Sequence, residues 1–311
     1  MYFPYIRGKQ YDLMAFRETA NLISEGGKII PLIEPVKKNI ASLLKSVIVY
    51  KETQMPFVLI TNPKVGELTH DYSELQDKID ENILDYEGYL PGYIITSSSD
   101  IKGIQSFLEK YEKNTVCLIH YQNYSDPDEL AKIIKKSGNV EYSVFMERHS
   151  GLTYRNIIGE NKKIILRDSF NLQDRNSDYP PDEFYTDLHK NYAELNFGGF
   201  GDFLIIGDRY FDRGGPAYTV AIHMSYLRSD GDIWIKHFLS ENQDSIADTP
   251  GKYLDALSKL VQTIESNVFD NSQTQVLDEF RSLHNKEYYP GLGVVKKLSL
   301  VHHIQLINMI I

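Results

Sequence analysis

The sequence predicts an α/β fold of the (β/α)8, TIM-barrel-like type. Eight short apolar runs rich in β-branched residues recur along residues 1–210, and most are followed by a stretch with helical periodicity. Runs that are apolar on both faces are typical of buried parallel strands, and eight strand–helix units suggest closure into a barrel. A doubly wound open sheet is the alternative, but no dinucleotide fingerprint or Walker A loop supports it.

Each predicted element rests on its own local signal. Gly26 and Gly27 end the first helix, whereas Asp100 and the Ser125–Glu129 segment predict N-caps for later ones, as does Asp71 or Ser73. The predicted strands are 2–7, 28–34, 57–62, 92–96, 116–121, 142–147, 164–168 and 203–208. The predicted helices are 10–24, 39–49, 73–84, 100–111, 125–136, 153–158 and 183–195.

Residues 211–311 depart from this repeat. Segments 218–226 and 233–238 alternate like a β-hairpin around the turn sequence at 229–232. Helices are predicted at 251–266 and 272–284, with a last element at 297–310. We expect the hairpin and C-terminal helices to complete or cap a core formed by residues 1–210, so that residues 1–311 form one barrel-like domain.

Composition restricts the classes of function. The net charge of −10 argues against general affinity for nucleic acid, which needs a basic surface. Cys117 is the single cysteine and lies in an apolar run, so we expect a buried thiol and a reducing compartment. The apolar stretches are too short to cross a bilayer and no leader pattern is visible, so a cytoplasmic location is expected. The apolar segment 306–311 should pack on the body or on a partner.

Polar side chains end every predicted strand. In a (β/α)8 barrel the loops after the strands converge on one mouth, where function resides. The strand-end residues are Arg7 and Lys9, Glu34, Asn62, Ser97 and Ser98, His120, Glu147 and Arg148, Arg167 and Asp168, and Asp208.

The chemistry of this ring has two interpretations. Glu34 and Glu147 directly follow apolar runs, and burial there would raise a carboxyl pKa unless a cation pairs with it. Lys9, Arg148 and Arg167 are available cations. The ring is therefore either a buried ion-pair network or an acid–base site.

Several histidine and acidic side chains could bind a divalent metal ion as a cofactor. Glu34, His120, Glu147 and Asp168 could furnish mixed ligands for Zn²⁺ or Mn²⁺, or oxygens for Mg²⁺. Neither His-x-His nor His-Glu-x-x-His spacing is present. Of the adjacent pair His302 and His303, we expect one to be packed and the other exposed.

The hairpin and the glycine-rich segments add further candidates. His223 and His237 have the same side parity and should lie nearly opposite one another, as a joint site or as satisfied core histidines. Gly198–Asp202 and Gly214–Pro216 are predicted to be tight turns, whose amides could also receive a phosphate.

These motifs, in their order, resemble the Beta protein family, a group of bacterial and phage-borne proteins of similar size. The segments that carry the resemblance are 5–12, 30–34, 199–202, 221–223, 233–238 and 302–303. The resemblance implies that Lys9, Glu34, Asp202, His223, His237, His302 and His303 belong to the family pattern. It also implies a context of phages, mobile elements and defence genes, and it supplies no established catalytic residues.

Two functions are consistent with the sequence. The first is a hydrolase or transferase for a small phosphate- or nucleotide-like molecule, within an anti-phage defence or phage-borne system. Its expected acid–base residues are Glu34, His120, Glu147 and Asp168, and its expected substrate-binding residues are Arg7, Lys9, Asn62, Arg148, Arg167, Asp202, Asp208, His223 and His237. The second is a non-catalytic scaffold or sensor that binds a protein partner from the same gene neighbourhood.

Overall fold

The computed structural model describes residues 1–69, 71–159, 161–212, 218–241 and 245–311. Its centre is a ring of eight strands in which every hydrogen-bonded pair is parallel. The strands are Tyr5–Ile6 (β1), Leu32–Ile33 (β2), Phe57–Ile60 (β3), Tyr89–Ile95 (β4), Val116–His120 (β5), Val140–Met146 (β6), Lys162–Arg167 (β7) and Gly199–Asp202 (β9). The predicted (β/α)8 TIM-barrel-like fold is therefore confirmed.

Residues at the N-terminus close the ring. Tyr2 forms parallel bridges to Ile29 on one side and to Phe200 on the other. The Phe3 amide donates to the Phe200 carbonyl at 2.8 Å, and the Phe200 amide donates to the Met1 carbonyl at 3.0 Å. The first and last barrel strands are thus joined through residues that precede β1.

Helices surround the ring. They are Gln10–Glu18 (α1), Ala20–Gly26 (α2), Ala41–Thr53 (α3), Ser73–Asn82 (α4), Ile101–Lys110 (α5), Pro127–Ser137 (α6), Leu152–Ile157 (α7), Leu188–Asn191 (α8), Thr249–Glu265 (α9), Gln275–Asn285 (α10) and Leu292–Ile310 (α11). Two of the predicted caps are present: the Asp100 side chain accepts from the Lys102 amide, and Asp126 accepts from the Glu129 amide. The cap predicted at Asp71 or Ser73 is wrong, because Tyr72 is the N-cap and no side chain caps α4, although Asp71 accepts from the Ser73 amide. The predicted first helix divides at Thr19.

Alternate residues of the barrel strands enter two separate cores. Tyr5, Leu32, Ile119 and Leu166 belong to the barrel interior, as does Cys117, whose thiol is buried as predicted. The side chains of opposite parity pack between the strands and the helices. Strand parity therefore decides which side chains continue into the mouth.

The eighth strand is not where the sequence predicted it. Residues 203–208 were predicted to be the strand, but they form a loop with a 3₁₀ turn at Leu204–Ile206, and the glycine-rich segment before them is β9. A Cβ on Gly201 would lie 2.2 Å from the Phe3 carbonyl oxygen, and one on Gly199 would lie 2.7 Å from that of Met1. The glycines therefore serve close strand approach, and the predicted tight turn at Gly198–Asp202 is wrong.

A second, antiparallel sheet lies beside the barrel. Its strands are Asp182–Thr186 (β8), Ala221–Leu227 (β10) and Ile233–Leu239 (β11), in the order β10-β11-β8. The predicted hairpin is confirmed, and His223 is the register partner of His237. The predicted helix at 183–195 is wrong in its first half, because residues 182–186 pair with β11 instead.

The C-terminal helix α11 completes the helical layer. It packs against α1, α2 and β10, and Leu306 and Ile307 are wholly buried. The apolar C-terminal segment therefore packs on the body. Within the described residues, no helix combines the length and the apolar character that crossing a membrane requires.

Candidate active site at the barrel mouth

Arg7 and Glu34 form the centre of a buried network at the mouth. Both follow interior strand positions by two residues, and their side chains form an ion pair. Glu34 also accepts from the Tyr5 hydroxyl at 2.7 Å and from the Lys64 amide at 2.6 Å. Arg7 Nη2 donates to Asp208 Oδ1 at 2.6 Å, and this carboxylate also accepts from the Tyr121 hydroxyl. The sequence left two interpretations of the polar ring, a buried ion-pair network and an acid–base site. The residues around Arg7 and Glu34 form an ion-pair network.

Asp168 is a mouth carboxylate with a different environment. It follows interior Leu166 by two residues, and its Oδ1 is buried without a hydrogen-bond partner among the described residues. Burial, followed by the nearby Asp208 carboxylate, raises the pKa of the Asp168 carboxyl to about 6. Arg148 opposes this from 4.0 Å but is largely exposed. A carboxyl with a pKa near neutrality can both give and accept a proton.

His120 does not reach the mouth. It has the parity of Leu118, which faces the helices, and its ring stacks on Phe145 and hydrogen-bonds to the Tyr154 hydroxyl at 2.8 Å. Burial lowers the pKa of His120 to about 3. The prediction that His120 acts with the mouth residues is therefore wrong, because a one-residue shift along a strand reverses the side chain's direction.

Glu147 and Arg167 are paired on the outer rim. The Arg167 guanidinium donates to both oxygens of Glu147, at 2.7 and 2.9 Å, and to Asp187 at 2.9 Å. Both residues have the outward parity, since Met146 and Leu166 belong to the barrel interior. Glu147 is thus held by a bidentate cation and separated from Asp168.

Asp202 also faces away from the mouth. It is wholly buried, accepts from the Tyr2 hydroxyl at 2.6 Å and lies 3.5 Å from His303 Nε2. His302 bonds to Thr274 and to the Ser225 carbonyl, both at 2.7 Å. Both histidines are fully buried, so the prediction of one packed and one exposed is wrong.

The remaining strand-end residues hold neighbouring backbone. Asn62 exchanges two hydrogen bonds with the Ile94 main chain, at 2.9 and 2.7 Å, and so extends the pairing of β3 with β4. Ser97 donates to Gln122 at 3.1 Å, and Ser98 lies in the same exposed turn. These three are structural members of the rim.

A cavity of about 400 Å³ lies between the mouth, the 170–179 loop, the hairpin and α11. Its walls include four cationic residues, several aromatic side chains and His223. The cationic residues are Arg7, Lys9, Arg209 and Lys296, and Asp12 is the acid among the described lining residues. Arg7 is 7% exposed, and its Nε has no hydrogen-bond partner among the described residues. The cavity is therefore a cationic site beside the mouth.

Two lysines of this wall are close enough to repel. Partial burial lowers the pKa of Lys9, and the neighbouring Lys296 lowers it further. Lys296 Nζ donates to Asp12 at 2.6 Å, and Lys9 lies 4.8 Å from the centre of the Tyr210 ring. An anion placed between the two ammonium groups would relieve their repulsion.

Sequence reasoning missed several of these residues. Tyr5 and Tyr121 lie in the mouth, Lys296 comes from the last helix, and Glu183 bonds to His237 at 3.0 Å. Parity would have identified Tyr121, since it follows interior Ile119 by two residues, whereas His120 does not. Lys296 and Glu183 carry no local signal.

The described residues do not form a metal centre: no three or more His, Cys, Asp or Glu side chains come together in a way that could hold an ion. In particular, His120 faces the helices while Glu34 and Asp168 face the mouth. The predicted glycine turn Gly214–Pro216 lies outside the described residues.

Comparison with known proteins gives a distant match among solved structures. Neither a protein-family model nor a curated protein matches the chain. The crystal structure of the Bacillus cereus spore cortex-lytic enzyme SleL matches with a TM-score of 0.37 and 12% sequence identity, over 83% of this chain and 68% of that chain.

Proposed function

We propose that this protein is a barrel hydrolase or transferase that acts on a small molecule with a phosphate-like anionic group. The observation that carries the proposal is Asp168: a mouth carboxyl with a pKa of about 6 and an unpartnered buried oxygen. Gly207 lines the cationic cavity, and a Cβ on it would lie 3.6 Å from Asp168 Oδ1. Gly207 therefore borders both the cavity and the Asp168 carboxyl.

Asp168 supplies proton transfer in the proposed reaction. The protonated carboxyl gives its proton to the oxygen of the leaving group as the bond between that oxygen and the phosphorus breaks. The oxygen of a water or an acceptor hydroxyl forms the new bond to phosphorus on the opposite side and releases its proton to solvent, and the Asp168 carboxylate regains a proton from solvent before the next turnover. Lys9 and Lys296 hold the anionic group, while Arg7 holds the Glu34 and Asp208 side chains in place.

The test uses hydrolysis of p-nitrophenyl phosphate. We expect Asp168→Asn to lower kcat by 100-fold or more, since general acid–base groups contribute about 10²- to 10⁴-fold. The wild-type rate should show a pH limb near 6, set by the Asp168 carboxyl. Asp187→Asn is the matched control, because Asp187 lies on the outer rim with Arg167. Equal rates for Asp168→Asn and wild type would remove Asp168 from the mechanism.

A second candidate function is partner binding through the hairpin sheet. Phe184 on β8 is 45% exposed, its ring lies 6.2 Å from that of Trp234, and the Arg228 guanidinium covers Trp234 at 4.3 Å. Clusters of exposed aromatic residues and arginine are typical of binding hot spots.

Phage challenge of cells that carry the protein with its neighbouring genes separates the two candidates. Loss of protection in Asp168→Asn supports the enzyme within a defence system. Protection that survives Asp168→Asn and is lost in Phe184→Ser supports the partner-binding function.

A further inference from the structure

A chain of three side chains leads to the cationic cavity. Glu183 Oε1 lies 3.0 Å from His237 Nε2, and His237 Nδ1 lies 2.7 Å from His223 Nδ1. Both distances are those of hydrogen bonds. His223, the last member of the chain, lines the cavity.

The surroundings fix both imidazole rings. The two histidines are register partners on β10 and β11, so their side chains share one face of the sheet. The Tyr179 ring stacks on His237 and meets His223 edge-on, with centroids 4.7 Å away in each case. Phe170 packs edge-on against both. The rings cannot rotate freely, so their hydrogen-bonding directions are set.

The carboxylate determines which nitrogens carry protons. An ionised carboxylate only accepts, so His237 Nε2 must be the N–H donor to Glu183. A neutral His237 then has a lone pair on Nδ1, and His223 must donate its Nδ1 proton to it. Burial lowers the pKa of both imidazoles, that of His223 to about 3, so both rings are neutral near pH 7.

The remaining ring nitrogen of His223, Nε2, therefore carries a lone pair and no proton. It lies on the opposite side of the ring from His237, and no described residue hydrogen-bonds to it. We propose that the Glu183–His237–His223 chain makes His223 Nε2 a fixed hydrogen-bond acceptor for a hydroxyl group of a ligand whose anionic group binds at Lys9 and Lys296.

The proposal names a ligand class for the same cavity: a hydroxylated organic phosphate. It rests on the proposed function for the anionic half of the ligand. The hydroxyl-binding part of the proposal is independent of that function, because the Glu183–His237–His223 chain sets the protonation of His223 in the free protein.

The first experiment measures that protonation directly. Long-range ¹H–¹⁵N spectra of the free protein should show His223 Nδ1 protonated and Nε2 unprotonated. His237→Phe removes the acceptor of the Nδ1 proton, so we expect the His223 proton to move to Nε2. His120→Phe is the control and should leave the His223 signals unchanged. A protonated Nε2 in the wild-type protein would overturn the proposal, whatever the protein's activity.

The second experiment compares two phosphate probes that differ in hydroxyl groups. Glycerol 3-phosphate should bind about 3- to 10-fold more tightly than methyl phosphate, the difference that one net hydrogen bond makes. In His223→Phe this preference should disappear, while Lys9→Ala should weaken both probes. Equal binding of the probes by wild type would overturn the hydroxyl site alone. Binding of neither probe would overturn the anionic site, and with it both this ligand class and the proposed function.

Discussion

Asp168 carries a conflict between folding and chemistry. Its carboxyl is partly buried at the barrel mouth, and burial makes its ionisation unfavourable. The charged form is nevertheless the one that must accept a proton during turnover. The Arg7–Glu34 pair nearby shows the opposite arrangement, in which each charge is matched by a partner. Both kinds of buried charge occur within one rim, and the unmatched one is the better candidate for chemistry.

This conflict predicts that Asp168→Asn lowers kcat but raises the free energy of unfolding. The pKa of Asp168 is raised in the folded protein, so the folded state holds the proton more tightly than the unfolded chain does. Its stabilising contribution is complete below the unfolded pKa of about 4 and is lost as pH rises through about 6. Asp168→Asn should therefore increase the free energy of unfolding at pH 8 by about 1 kcal/mol, after allowing for solvent screening.

Urea denaturation at two pH values measures this effect. The difference between Asp168→Asn and wild type should vanish at pH 4, where both side chains are neutral. A variant that is less stable than wild type at pH 8 would show that the charged carboxylate is a structural partner rather than a strained one.

Strand parity explains which site residues the sequence could identify. Arg7, Glu34 and Asp168 were placed in the mouth correctly, because each follows an apolar interior residue by two positions. His120 and Asp202 also end strands but have the other parity, so they lie between the barrel and the helices. Knowing where a strand ends is therefore insufficient; the direction of its last residue must also be assigned.

At the scale of elements, most of the barrel is encoded locally. Seven of its strands coincide with apolar runs of the sequence, and the capping aspartates start their helices as predicted. The exceptions depend on partners distant in sequence. Strand β9 is rich in glycine because the backbone near Phe3 approaches it closely, and β8 exists because β11 pairs with it. Local propensity does not contain this information.

The closure of the barrel at β9 predicts a sharp difference between two glycines. Gly201→Ala would place a methyl group 2.2 Å from the Phe3 carbonyl oxygen, so the strand must move. We expect a loss of several kcal/mol in the free energy of unfolding, in the range of the larger core substitutions.

Gly198→Ala is the matched control, since its Cβ would meet its nearest neighbour at 3.7 Å, an ordinary contact. Thermal unfolding should show wild-type behaviour for Gly198→Ala and a strongly lowered Tm for Gly201→Ala. Equal melting temperatures would contradict the role assigned to β9 in closure.

For the molecule as a whole, charge and burial are distributed unevenly. The chain carries a net charge of −10, yet four of the five charged residues that line its cavity are cationic. Net charge therefore describes the outer surface and says little about the ligand that a concave site selects. Neutral histidines form another pattern, since His120 and His302 are wholly buried in the helical layers.

These histidines predict acid sensitivity. Burial lowers the pKa of His120 to about 3 and that of His302 to about 4, so the unfolded chain binds more protons below about pH 6.5. Stability should fall as pH decreases through this window, by roughly 2 kcal/mol per histidine at pH 5. The raised pKa of Asp168 acts in the opposite direction, and its gain in stability as pH decreases is about half the loss from one histidine.

Comparison of unfolding at pH 7.5 and pH 5 tests the prediction. His120→Phe should reduce the pH-dependent loss by about 2 kcal/mol, whatever it does to stability at neutral pH. An unchanged pH dependence in this variant would mean that His120 is accessible to protons in the folded state.

The closure through Tyr2 has a consequence for synthesis on the ribosome. Tyr2 pairs with Phe200, so a nascent chain holds an unfinished sheet until residue 200 has left the exit tunnel. The face of α1 that packs against α11 waits longer still, because α11 follows β9 in the chain. Until then two strand edges are open to pairing with other chains. We therefore expect the strand edges beside Tyr2 to need protection from other chains until Phe200 has been translated.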